Sequence, residues 1–184
     1  VREAIQERRA YRSLDRTEIT PELIQDLAEC ASLSASCFNN QPWRYVFVYD
    51  KERLEELHGA LSRGNEWARY GSMIIAVFSR KDVDCVIKDR VYYLFDTGMA
   101  TAFIILRATE LGLVAHPIAG FSEKKAKEIL NIPEHMRLIA LVIVGKHRDD
   151  ARDVLSEEQK ASEERRPERQ PMERFAFHNS YSEE

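Results

Sequence analysis

Seven glycines in 184 residues, at positions 59, 64, 71, 98, 112, 120 and 145, never fall two apart. Neither the glycine fingerprint of dinucleotide-binding folds nor a Walker phosphate loop can therefore be written onto the chain. The five histidines, His58, His116, His135, His147 and His178, form no i, i+4 pair and have no cysteine partner at zinc-ligand spacing. Metal chemistry thus has no signature, and aspartate-rich calcium loops and a Gly-x-Ser-x-Gly nucleophile turn are also missing. Cysteine is scarce, and Cys30, Cys37 and Cys85 are odd in number and unclustered. That usage fits a reducing compartment, so a cytoplasmic protein is expected. The 27 basic residues are outnumbered by 31 acidic ones, a net charge of −4, and no long Lys/Arg block occurs. A nucleic-acid partner is not expected. The first residues, Val1-Arg-Glu-Ala-Ile, hold no apolar signal core, and nothing in them marks the chain for export. The longest apolar stretch, Val91 to Leu106, carries Asp96 and falls short of the ~20 residues that span a bilayer, so it reads as a buried helix and no membrane partner is expected.

What remains is a globular composition, 44% hydrophobic and 32% charged, of a length that suits one domain. Short apolar runs rich in β-branched and aromatic residues predict strands at Tyr45 to Tyr49, Met73 to Phe78 and Leu138 to Val144. Thr20 as N-cap and Pro21 at the first position predict a helix over Pro21 to Leu33. Asp50 and Ser122 are expected to cap two amphipathic helices, the second stopped by Pro133, and Asp89 to Leu111 to form the central helix before Gly112. From Ala151 onward the pattern changes, with 15 of the last 34 residues charged. Such a tail cannot form its own core, and Phe175, Phe177 and Tyr181 favour its wrapping over another surface.

Three polar clusters have no explanation in a soluble core. Arg8-Arg9-Ala10-Tyr11-Arg12-Ser13 ends a short charged helix, and continued helical geometry would project Arg8 and Arg12 from one face toward an anionic ligand. A solvated helix end complementing the C-terminal dipole is the plainer reading. Ser36-Cys37-Phe38-Asn39-Asn40-Gln41-Pro42-Trp43-Arg44 offers neutral donors and acceptors suited to a heterocycle with alternating carbonyl and N–H edges. A turn before a strand accounts for Asn39 and Pro42 but not for the whole string. Pro117-Ile118-Ala119-Gly120-Phe121 combines small residues with free backbone N–H groups, which lets a flat ligand approach the main chain.

In order, Arg8-Arg9-x-x-Arg12, Ser36-x-x-Asn39-x-Gln41-Pro42-Trp43, Asp96-x-Gly98 leading to Leu111-Gly112-Leu113, Ile118-x-Gly120-Phe121 and Leu130-x-Ile132-Pro133 resemble the nitroreductase family of FMN-dependent oxidoreductases. The resemblance covers roughly residues 2 to 147, with an echo at Arg169-Gln170-Pro171-Met172-Glu173, and its specific part is Asn-x-Gln-Pro-Trp. It implies an α+β fold, a mixed, mostly antiparallel sheet flanked by helices, in an intertwined homodimer with FMN at the interface. Residues 1–150 would be the FMN-binding domain and 151–184 a charged extension over the partner subunit. By the same resemblance Arg8 and Arg9 point to the FMN phosphate and ribityl end, Arg12 to the N1 and C2 carbonyl edge, and Ser36, Asn39 and Gln41 to the flavin from the loop, across the dimer. Asn65 matches a family asparagine, the main chain at Ala119 and Gly120 faces N5 and O4, and Arg169 is a second phosphate ligand.

The implied reaction is hydride transfer from NADH or NADPH through flavin N5 to a small-molecule electron acceptor such as a nitroaromatic or quinone. No side-chain nucleophile, acid or base is required, and Arg12 serves as a permanent charge near N1. A non-catalytic flavin-binding sensor, and a flavin enzyme of the same fold performing reductive dehalogenation or flavin destruction, are the alternatives.

Overall fold

The computed structural model describes residues 1–182. In chain order the elements are α1 (Arg2–Glu7), β1 (Leu14–Asp15), α2 (Pro21–Ser32), β2 (Arg44–Val48), α3 (Lys51–His58), β3 (Met73–Ser79), β4 (Val86–Ile87), β5 (Arg90–Val91), α4 (Tyr93–Glu110), β6 (Leu113–Ile118), α5 (Glu123–Leu130), β7 (Arg137–His147) and α6 (Glu157–Glu164). The three expected strands form, and β7 organises the sheet. Strands β1 and β3 follow one another along one of its edges and β6 lines the other, while β2 pairs with β3 as an outer strand. Every pairing among the described residues is antiparallel.

Strand periodicity divides the buried residues of β3 and β7 between two cores. Ile74, Ala76, Leu141 and Ile143 face a cluster with Leu54 and Leu57 of α3, Trp67 and Ala126 of α5. Met73, Ile75, Val77, Val142 and Val144 face Leu27 and Ala31 of α2 and Ala100, Ile104 and Ala108 of α4. A sheet covered on both faces explains why β3 reads as one continuous apolar run.

The helix caps follow the sequence. Thr20, Asp50 and Ser122 each accept the backbone N–H three residues on, and Asn131, in the left-handed region at φ 54°, ends α5. The central helix starts at Tyr93 rather than Asp89, because Val86 to Val91 folds as a hairpin that turns at Lys88, φ 60°. Nor is α4 enclosed as its composition suggests: within one chain Leu94, Phe95 and Phe103 are 48%, 64% and 41% exposed.

Two further findings depart from the expectations. Cys37 and Cys85, 48 positions apart, are joined in a disulfide, and Cys30 alone is free. This removes the basis for reading a reducing compartment from the cysteines. No helix among the described residues is long and apolar enough to cross a membrane. The charged tail also has order of its own. A capping box of Ser156 and Gln159 starts α6. Buried Leu155 joins the core, and the Arg152 guanidinium holds the Leu14 carbonyl and lies 4.0 Å from the Tyr70 ring centre.

Ile75 is fully buried where β3 crosses α4. Ile75→Ala should cost about 2–5 kcal/mol through lost transfer energy and the cavity left behind. The check is a lower urea midpoint with an unchanged denaturant slope.

Candidate functional site

Helix α1 ends at Glu7, so Arg8 to Ser13 does not continue it, and Arg8 and Arg12 do not share a helical face. Arg8 sits at φ −52°, ψ 118°. The Arg166 guanidinium donates to the Gln6 carbonyl and, at 2.9 Å, to the Arg8 carbonyl, satisfying the acceptors a helix end leaves open. Arg12 to Ser13 then runs into β1 under the hold of α6. The Glu163 carboxylate accepts the Arg12 N–H at 2.8 Å and the Ser13 N–H at 2.9 Å. Arg9 Nη2 donates to the Ser162 and Glu163 carbonyls at 2.7 and 3.1 Å, and Arg12 Nη1 to Ser162 Oγ at 3.0 Å.

Arg8 is left differently. Its side chain has no hydrogen bond or ion pair among the described residues, and Arg166, Arg169 and Arg9 surround it closely enough to act on its charge. Burial first, then these like charges, lower the Arg8 pKa. A half-buried guanidinium among three others is a site for an anion with several acceptor oxygens.

The same corner contains the end of β6. His116 is buried there, with Nδ1–H donating to the Tyr11 carbonyl at 3.0 Å and its ring 4.7 Å from that of Trp67. Burial pushes His116 down to about 4, with the nearby Arg12 and Arg8 charges adding and the Tyr11 carbonyl and Glu163 opposing. Beyond β6, the Gly120 carbonyl accepts Asn65 Nδ2 at 3.0 Å and the Ser62 N–H at 2.9 Å. Gly120 suits this contact because a Cβ there would lie 2.3 Å from Asn65 Nδ2. Among the described residues the N–H groups of Ala119 and Gly120 bond to no other group, which leaves two donors just past the strand that carries His116. Gln159 of α6 donates to the Gly64 carbonyl at 2.9 Å, so one helix touches both the Asn65 turn and the arginine segment.

Ser36, Asn39 and Gln41 lie elsewhere. Ser36 Oγ accepts the Gln41 N–H at 3.0 Å and Gln41 Nε2 donates to the Asn39 carbonyl at 3.2 Å. Phe38, Asn39 and Gln41 all adopt positive φ, 48°, 58° and 49°. No hydrogen bond, ion pair or ring contact among the described residues connects this loop to the arginine corner. The ten expected residues therefore form two groups: Arg8, Arg9, Arg12, Asn65, Ala119, Gly120 and Arg169 around the end of β6, and Ser36, Asn39 and Gln41 on the loop.

A model of the nitroreductase family matches residues 5–146, which takes in both groups apart from Arg169. The chain belongs to the nitroreductase family. A solved oxidoreductase containing FMN superposes on all of this nitroreductase-family chain and on 94% of its own, with a TM-score of 0.85 at 25% identity. A candidate NAD(P)H nitroreductase of Bacillus subtilis is 24% identical over 168 residues, covering 73% of this chain and 82% of its own. The iodotyrosine deiodinase of Haliscomenobacter hydrossis is 29% identical over 168 residues, covering 75% of each.

Reading the sequence missed Ser162, Glu163, Arg166 and His116 at the corner. The Ser156-x-x-Gln159 box was the available signal for the first three, since it announces a helix in the tail; nothing distinguished His116 from a chance core histidine.

The unfolded chain protonates His116 near its ordinary 6.5, whereas the folded protein keeps it neutral down to about 4. Between these values the unfolded state binds more protons, so this group's stability contribution is complete above pH 6.5 and lost as pH falls toward 4, by up to about 3 kcal/mol. Urea midpoints across pH 4–7 should fall more steeply for the unmodified protein than for His116→Gln.

Proposed function

We propose that this nitroreductase-family chain is an FMN-dependent oxidoreductase that takes electrons from NADH or NADPH and delivers them to a nitroaromatic, quinone or similar acceptor. The observation that carries this reading is the Arg8 guanidinium, without an anionic partner among the described residues and set among Arg9, Arg166 and Arg169, together with the open N–H groups of Ala119 and Gly120 just past β6. Such a donor set fits FMN, whose phosphate needs charge-assisted donors and whose ring edge needs close access to main chain. When bound, FMN supplies the two-electron chemistry, accepting hydride from the nicotinamide and passing electrons to the acceptor.

The chain's own residues then bind, orient and stabilise. Arg8, with Arg9 and Arg169, serves the phosphate and ribityl end. Arg12 contributes a charge that persists at any physiological pH for the negative charge that develops near N1. The Gly120 N–H would be a hydrogen-bond donor for the flavin edge at N5, and Asn65 steadies Gly120 by holding the carbonyl of the following peptide. Ser36, Asn39 and Gln41 complete the site from a second subunit, consistent with their separation from the arginine corner.

A homodimer is part of this proposal. The exposed apolar face of α4, with Leu94, Phe95 and Phe103, and the exposed Met172, Phe175 and Tyr181 of the tail are surfaces that a second copy would bury. In this reading residues 1–150 with 152–166 form the body, and the wrapped segment begins near residue 167, since Arg152, Glu163 and Arg166 are engaged within their own chain. The deiodinase relative supports a second reading, reductive dehalogenation on the same cofactor, which halide release from an iodinated phenol under reducing conditions distinguishes from nitro or quinone reduction.

The purified protein should bind one FMN per chain, and Arg8→Ala should weaken FMN roughly 10- to 100-fold while leaving riboflavin nearly unchanged. Calorimetric titration with both flavins checks this, and equal affinity of the unmodified protein for both overturns the phosphate assignment. Light scattering should give twice the chain mass for the flavin-loaded form. A flavin-loaded monomer would overturn the two-subunit site.

A further inference from the structure

Away from the arginine corner, the most unusual cluster lies where the loop after α2 meets the β4–β5 hairpin and the first turn of α4. The Cys37–Cys85 disulfide joins the first two, and the Asp96 carboxylate of α4 accepts the Cys37 N–H at 2.6 Å from a position only 2% exposed. Burial raises the Asp96 pKa against the effect of that hydrogen bond, and the Asp84 charge raises it further. Asn40 Nδ2 donates to Asp84 Oδ1 at 3.3 Å and to Cys85 Sγ at 3.5 Å, and Cys85 N–H donates to the same Asp84 oxygen at 2.8 Å. Asp84 Oδ2, on a residue 9% exposed, is buried with no hydrogen-bond partner. A carboxylate oxygen of Asp84 and the two sulfurs all lie within 4.8 Å of one another.

Two features set this apart from a bond that only braces the fold. The bridged loop is held in a conformation that two of its residues disfavour, with positive φ at Phe38 and Gln41 and Phe38 87% exposed. Asp84 Oδ2 is also buried with no hydrogen-bond partner while the Asp84 side chain faces the Asp96 carboxyl, and with one of its oxygens within 4.8 Å of both sulfurs, an S–H formed there would add a donor to a cluster of acceptors. The cluster thus offers a disfavoured loop in one redox state and an added donor in the other.

We propose that Cys37–Cys85 is a thiol–disulfide exchange site whose co-reactant is a dithiol, and that opening it releases the Ser36–Gln41 loop and weakens flavin binding. A thiolate of the dithiol attacks the Sγ of Cys37, the less buried of the two residues. The S–S bond breaks and Cys85 leaves as a thiolate that accepts a hydrogen bond from the Asn40 amide until it is protonated. The second thiol of the reductant then attacks its own mixed-disulfide sulfur, and Cys37 is released. The dithiol ends as a disulfide, its two electrons reside on the cysteine pair, and its two protons end on Cys37 and Cys85, the latter facing Asp84. The effect on flavin rests on the function proposed above; the exchange and the loop release do not.

The test equilibrates the flavin-loaded protein with reduced and oxidised dithiothreitol under native conditions. Maleimide mass tagging should count one thiol in the oxidised form, Cys30, and three in the reduced form. Amide hydrogen exchange over residues 34–43 should accelerate, and FMN should bind about tenfold more weakly, on reduction, both reversing on reoxidation. Cys37→Ser with Cys85→Ser should behave as the permanently reduced form, and Cys30→Ser should retain the full redox response. A thiol count that stays at one without denaturant overturns the exchange site. Three thiols with unchanged loop exchange and FMN affinity overturn the release. FMN binding to neither form, with redox-dependent loop exchange intact, supports the exchange site and overturns the flavin reading instead.

Discussion

Five guanidinium groups held in one corner repel one another, and the arginine corner exists because something other than charge pairing keeps them there. Arg9 and Arg166 are fastened to main-chain carbonyls, and Arg12 to a serine hydroxyl and, through its N–H, to Glu163. These bonds fix positions without neutralising the corner as a whole. Glu163 is directed at two peptide N–H groups rather than at a guanidinium, so it organises the backbone while the positive potential remains for an anion. Arg8, which lacks such a bond, is the group for which that anion is the natural partner.

The corner also depends on the sheet. Strand β7 pairs with three others, with β1 and the start of β6 meeting its C-terminal end from opposite edges, and β6 running back from there toward Gly120. Buried His116 fastens the two by holding the Tyr11 carbonyl, and because it stays neutral it does so without adding a further positive charge. The two cores on either face of β3 and β7 keep these strand ends from sliding, since a shift of one residue would send every side chain into the core packed for its neighbours.

Elements with a strong local signal were legible in the sequence. The apolar runs at β2, β3 and β7 and the capped helices at Thr20, Asp50 and Ser122 form as expected. Strand β6 was harder to see because His116 and Pro117 interrupt its apolar pattern, and Pro117 is tolerated because β6 is an edge strand. Helix α6 was hidden by its own charge, since its role is to hold other segments through polar bonds rather than to bury an apolar face. The disulfide could not be read at all: three cysteines allow several pairings, and only the meeting of the loop with the hairpin selects one. At the site, residue types were legible but grouping was not. Arg8, Asn65 and Gly120 converge through β6 and α6, whereas Ser36, Asn39 and Gln41 sit apart on their loop, a division made by tertiary contacts that spacing does not encode.

The hold of α6 on the arginine segment ties residues about 150 positions apart, as between Glu163 and the Arg12 N–H. On the ribosome, which extends the chain at about 5–20 residues per second, Arg8 to Ser13 emerge long before Ser162 to Arg166 exist. For that interval the Arg12 and Ser13 N–H groups lack the Glu163 carboxylate that later accepts them. The first cations of the site to be synthesised are therefore fixed only once α6 has been made, and the anion site does not grow with the chain.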